Sequence, residues 1–252
     1  MTIWIMSILC AVCAYFSLMA TDTLLQSGAA SLTQKQSVLQ AQAQKVMTWY
    51  QGNVVAIDSN SGMPTPPAIS AQWGMKLLQT KRFNCNGQVQ AHRYAVIIPG
   101  SGSANTTTLD PDTGALILVS SDMVQLIDGC QVEMSLFQQT QSNAVALAKA
   151  LENYFKSQAI QNFGEVDRNY FTSPECGGWG GIDCAAANSP SLATVLEAPL
   201  GLGDTDCKDA WGGHLLFDNT SSTVQKSSLF IAQVGFTTPW GATNWITAIG
   251  EN

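Results

Sequence analysis

"MTIWIMSILCAVCAYFSLMATDTLLQSGAASLTQKQSVLQAQAQKVMTWYQG" (residues 1–52) opens with twenty-one residues that carry no side-chain charge before Asp22. Residues 3–20 form an apolar run of eighteen, just long enough as a helix to cross a hydrocarbon core of ~30 Å. A secretory signal normally shows a basic region ahead of its apolar part and small residues at its end; no Lys or Arg precedes this run and no convincing A-x-A site follows it. The pattern then continues without proline. Leu25, Leu32, Leu39, Val46 and Trp49 recur at spacings of seven, seven, seven and three, a narrow helical seam with a polar back. Gly52 is the expected stop. The reading is one helix over 1–51, about 75 Å long at 1.5 Å per residue, apolar in 1–21 and amphipathic in 22–51. Its first half needs lipid or identical neighbours, and its second half needs a globular partner.

The rest of the composition supports an assembled or extracellular protein. Of 252 residues, 46% are hydrophobic and only 12% charged, about half the usual charged share. Ser, Thr, Asn and Gln must supply the polar surface. The net charge is −7 and the pI about 4.6. No basic stripe exists to meet a phosphate backbone, so nucleic acid is not an expected partner.

Seven cysteines fall into two groups. Cys10 and Cys13 lie in the apolar opening and act there as small hydrophobes. Cys85, Cys130, Cys176, Cys184 and Cys207 are scattered beside Gly, Asn and Asp without paired zinc-ligand spacing, which points to disulfides in an oxidising compartment. The near pair Cys176 and Cys184 brackets "CGGWGGIDC". With five candidates, one thiol stays free or pairs across chains.

Enzyme signatures fail. His92 lies in a strand-like run and His214 just after a Trp-Gly turn, and either suits a packed or surface histidine better than a general base. "PGSGSAN" (99–105) lacks the strand-elbow-helix context of a nucleophile. There is no phosphate loop and no His-Glu-x-x-His pattern. The reading is a non-enzyme.

Two short acidic stretches could bind a hard cation. "GDTDCKD" carries Asp204, Asp206 and Asp209 within six residues, and "LDPDTG" carries Asp110 and Asp112. Such residues more often cap their own turns. Trp-Gly occurs four times, at Trp73, Trp179, Trp211 and Trp240; a ring followed by a residue free to take positive φ makes a turn pinned to a core. Exposed rings among them could instead stack on sugars.

Along the chain, 53–67 reads as a connection, 69–80 as a short helix, and "QVQAHRYAVII" (88–98) as a central strand. Residues 99–114 read as a long loop, "ALILVS" (115–120) as the strand answering the first, and 123–127 as a third. A helix is expected over 142–160, with Val145, Ala148, Leu151 and Phe155 on one face. Strands are expected near 213–218, 228–236 and 244–249. Two organisations are open: headgroup modules at 52–135 and 136–252, or a single α+β headgroup with an inserted helix.

The long greasy helix with a β headgroup behind it resembles the type IV pilin and pseudopilin family. "CKDAWGGHLLF" (207–217) and "TTPWGATNWI" (237–246) resemble the Trp-Gly stretch of pseudopilin headgroups. The resemblance implies an α+β fold, a long N-terminal α-helix packed on an antiparallel β-sheet headgroup. It implies a structural subunit, of shaft or tip, in an extracellular type IV pilus-like filament on a bacterial surface. Such a subunit is held in the inner membrane before assembly and partnered by copies of itself and other pilin-like subunits. Met1 would be a processed, methylated terminus. Ile5, Leu9, Ala14, Phe16 and Leu18 would pack the assembly helix, with Cys10, Ala11, Cys13 and Ala14 as its small-residue groove. Ile5 stands where the family's main subunits carry Glu, and family members without that Glu tend to sit at filament tips. The resemblance also places calcium near Asp204, Asp206 and Asp209. The competing reading is a membrane-anchored extracytoplasmic binding protein or adhesin that does not polymerise and meets a surface or glycan ligand.

Overall fold

The structure, a computed structural model, describes residues 31–57, 64–100, 107–162, 168–185, 189–220 and 229–251. The apolar run, with Met1, Ile5, Leu9, Ala14, Phe16 and Leu18, lies outside the described residues. The chain divides into two compact units, each discontinuous in sequence. The first holds residues up to Trp49, Pro66–Phe83 and His92–Asp128; the second holds Tyr50–Thr65, Asn84–Ala91 and everything from Gly129.

Helix α1 spans 31–57. Its buried seam is Leu39, Ala43, Val46, Tyr50, Val54 and Ile57, spaced by threes and fours as one helical face requires. Leu32 is exposed, so within the described helix the buried seam begins at Leu39, about two turns further on. Gly52 does not end the helix. The side chains of Val54 and Ile57 extend the buried face past it, and their burial outweighs the ~1 kcal/mol a helical glycine costs.

In the first unit, β1 (Lys76–Gln79) flanks the central strand β4 (Arg93–Ile98), and β7 (Met123–Asp128) flanks its other side, all antiparallel. Alternation explains why β4 is buried on both faces. Ala95 and Ile97 share a cluster with Leu78, Val124 and Leu126, closed by Leu109 and Leu116. The last two come from the short pair β5 (Thr108–Leu109) and β6 (Leu116–Ile117). On the opposite face Tyr94 meets Trp49 of α1 edge-on, at 5.7 Å between ring centroids. Arg93 locks the strand ends: its Nη2 and Nε donate to Asp128 at 3.0 and 3.3 Å, and its Nη1 donates to the Gly114 carbonyl.

Two local expectations are corrected in this unit. Residues 69–80 form a 3-10 turn at Gln72–Gly74 followed by β1, not a helix. Trp73 and Gly74 both take positive φ (55° and 67°), and no helix runs through left-handed backbone. The strand beside β4 is 123–128 rather than 115–120, because 116–117 pairs with 108–109.

In the second unit, α2 (Gly129–Gln161) packs on a four-stranded antiparallel sheet. The sheet runs β11 (Thr243–Glu251), β10 (Leu229–Thr237), β9 (Leu216–Asp218), β8 (Ser191–Leu192). The helix starts thirteen residues before the expected 142. Its buried stripe includes Glu133, Phe137, Thr140, Ala144, Leu147, Ala148, Leu151 and Phe155, while Val145 is exposed. Phe155 centres an aromatic cluster with Phe171 at 4.8 Å and Tyr170 at 5.3 Å. The backbone of Gly250 passes directly over its ring, leaving no space for a Cβ. A ribbon of β2 (Phe83–Asn84) and β3 (Gln90–Ala91) leads into the Cys85–Cys130 disulfide, and a second disulfide joins Cys176 to Cys184. Among the described residues Cys207 is the free thiol, buried in the core, where burial pushes its pKa up to about 11.

The fold class expected from sequence is therefore corrected. A single long helix on one headgroup sheet is replaced by mixed α/β architecture with two long helices and several small antiparallel sheets. The physical reason is that α2 has an apolar stripe of its own, which must be buried against its own layer.

Candidate functional site

The Trp-Gly turns of the second unit build the most elaborate local chemistry among the described residues. Asp209 organises the first turn: its Oδ1 accepts the N–H groups of Trp211 and Gly213 at 2.9 and 2.8 Å. Gly212 supplies the positive φ of 88° that closes the turn. Burial holds the Asp209 carboxyl above its ordinary value, against the pull of those N–H donors. Helix α2 fastens the turn from one face. Thr140 Oγ1 accepts from the Ala210 N–H at 2.9 Å, and Asn143 Nδ2 donates to the Lys208 carbonyl at 3.2 Å.

Glu133 is the centre of the cluster. It is fully buried in the first turns of α2 and accepts two side-chain donors. The Trp211 indole Nε1 donates to Oε2 at 3.0 Å, and the Tyr50 hydroxyl donates to Oε1 at 3.2 Å. Hydrogen bonding of this kind is what makes a buried carboxyl tolerable. Trp240, on the next Trp-Gly turn, packs edge-to-face on Trp211 with centroids 5.7 Å apart. Its turn closes through the Gly241 N–H to the Thr238 carbonyl, again with positive glycine φ (87°). Beside Trp211 opens a groove of about 410 Å³, lined by residues 51–56 of α1, which include Gln51, Gly52 and Val55, together with Leu136, Ala210 and Trp211. None of the described residues lining it is charged.

The acidic residues read from sequence do not converge on a cation. Asp204 pairs with Lys208, which holds its carboxyl below the ordinary value, and lies 3.8 Å from His214 Nδ1. Asp206 accepts the Gly203 N–H at 2.9 Å, and Asp209 is spent on its own turn. Asp110 caps the 110–113 turn through the Asp112 and Thr113 N–H groups, while Asp112 pairs with Lys81. Among the described residues, no three His, Cys, Asp or Glu side chains are placed to hold a metal ion. His92 is buried, with Nδ1 3.0 Å from the Thr80 carbonyl.

The remaining Trp-Gly turns differ. Trp179 is exposed, with the Arg168 guanidinium stacked 3.6 Å from its centroid. Gly180 is required there because a Cβ would collide with the Tyr170 carbonyl. Tyr50 and Glu133 escape a reading by sequence motif. The available signal for Glu133 is its spacing: it stands four before Phe137 and seven before Thr140, on the stripe that continues to Leu147 and Leu151.

No known protein family, curated protein or solved structure matches the chain.

Proposed function

We propose that the chain is a structural subunit, of shaft or tip, of an extracellular type IV pilus-like filament, assembling through its apolar N-terminal segment with copies of itself. The observation that carries this reading is the uncharged run of 1–21 in the sequence, followed further along the chain by a helix with a single buried seam. Burying such a run among identical neighbours removes it from water at ~25 cal/mol per Å². Cys10, Ala11, Cys13 and Ala14 are small enough to let helices approach closely. The two disulfides suit a protein that works outside the cytoplasm. None of the described helices is long and apolar enough to cross a membrane, so in this reading anchoring before assembly is the task of the opening segment alone.

The test is recovery of the protein from its own cells. Shearing the cell surface and labelling the released material with antibody to residues 129–252 is expected to decorate filaments along their length or at their ends. Recovery of the chain only as an unassembled membrane or soluble species contradicts the proposal.

A further inference from the structure

We propose that the groove beside Trp211 is a binding site for a neutral pyranose ring presented by a surface glycan, an activity separate from filament assembly. Three observations lead there. First, Trp211 is a half-buried indole held rigidly: its Nε1 is tied to buried Glu133 and its ring meets that of Trp240 at 87°. A ring fixed before the ligand arrives loses little freedom on binding, and an indole face stacks against the C–H face of a sugar. Second, the α1 side of the groove carries the exposed Gln51 carboxamide beside Val54, Val55 and Ala56; the carboxamide offers donors and an acceptor for a hydroxyl group, and the aliphatic side chains suit the C–H faces of a sugar. The absence of charge among the described lining residues argues against phosphate, carboxylate and metal ligands.

Third, Gly52 sits in the interior of α1 with nothing within 4 Å of where a Cβ would be. The fold itself has no need of a glycine there, since its φ is not positive and alanine would favour the helix by ~1 kcal/mol. What the missing side chain leaves is open space in the groove wall. The volume of about 410 Å³ falls within the ~300–1,000 Å³ of small-ligand clefts.

The experiment uses the full chain in mild detergent on an array of immobilised neutral and sialylated oligosaccharides. Intrinsic tryptophan fluorescence is then titrated with the methyl glycosides of glucose, galactose and mannose. The expected result is binding to neutral glycans, competed by at least one methyl glycoside, and weakened at least tenfold in both Gly52→Met and Trp211→Leu. Gly52→Met fills the groove from a helical position that tolerates it, so it reports on binding even if Trp211→Leu unfolds. Competition by the free methyl glycoside separates recognition of a single ring from avidity for a polymer surface. No binding to any glycan overturns the proposal. Binding confined to sialylated glycans, or binding that Gly52→Met leaves intact, overturns it too. Filament formation by the same variants is unaffected if the site and the assembly segment are separate, so the two proposals fail independently.

Discussion

Two carboxylates show how much a single acidic side chain can organise in a protein with few charges. Glu133 is the shared acceptor of Tyr50 and Trp211. Glu133→Ala takes that acceptor away from both buried donors and is expected to cost about 3 kcal/mol, whereas Glu133→Gln keeps an oxygen in place and costs about 1 kcal/mol. Urea unfolding followed by tryptophan fluorescence reads both. Asp122 does the equivalent for two backbone groups: it accepts the N–H groups of Gly100 and Thr107 at 2.8 and 2.9 Å. Those donors, Gly100 first, hold its carboxyl below the ordinary value. Because the folded pKa is the lower one, the stabilisation is present above the unfolded value of ~3.9 and is lost as pH falls through the folded value. Asp122→Ala should therefore lower the melting temperature at pH 7 and flatten its fall below about pH 4; parallel acid limbs in the two proteins would refute the assignment. Asp122 follows the Val119–Ser121 bend, where sequence reading finds only a strand and a polar gap. Its role depends on long-range closure that no spacing reveals.

At the scale of elements, glycine gives opposite predictions at two places. Gly52→Ala should raise the melting temperature, by about 1 kcal/mol of stability, since the new methyl meets open space in a helix. Gly180→Ala should cost about 2 kcal/mol, since its methyl must displace the Tyr170 carbonyl inside the loop closed by Cys176–Cys184. Thermal melts of the two variants beside the wild type decide both signs. The same contrast between local and distant causes governs what sequence reveals. β4, β10 and β11 are legible because each is long and apolar enough to show its period. The pairs β5–β6 and β8–β9 include strands of two residues, too short for any period. The first three turns of α2 hide because a disulfide, a buried acid and a run of Gln interrupt the apolar stripe. The Trp-Gly turns are legible as turns, and three of the four glycines take positive φ. The anchor of the Trp211 turn on Glu133 is not, because the two residues stand 78 apart.

For the molecule as a whole, each unit carries its own helix-on-sheet core. With 12% charged residues and a net charge of −7, hydrophobic burial and the two disulfides supply the cohesion. In the proposed filament the opening apolar segment is a packing element buried among copies of itself. Ala14→Arg places a charge within that packing. Electron microscopy of the sheared surface fraction from cells expressing wild-type or Ala14→Arg chain tests it most directly. Labelled filaments are expected for the wild type and none for the variant, with the variant protein still present and both disulfides formed. Filaments of normal number and length built from the arginine variant would contradict it.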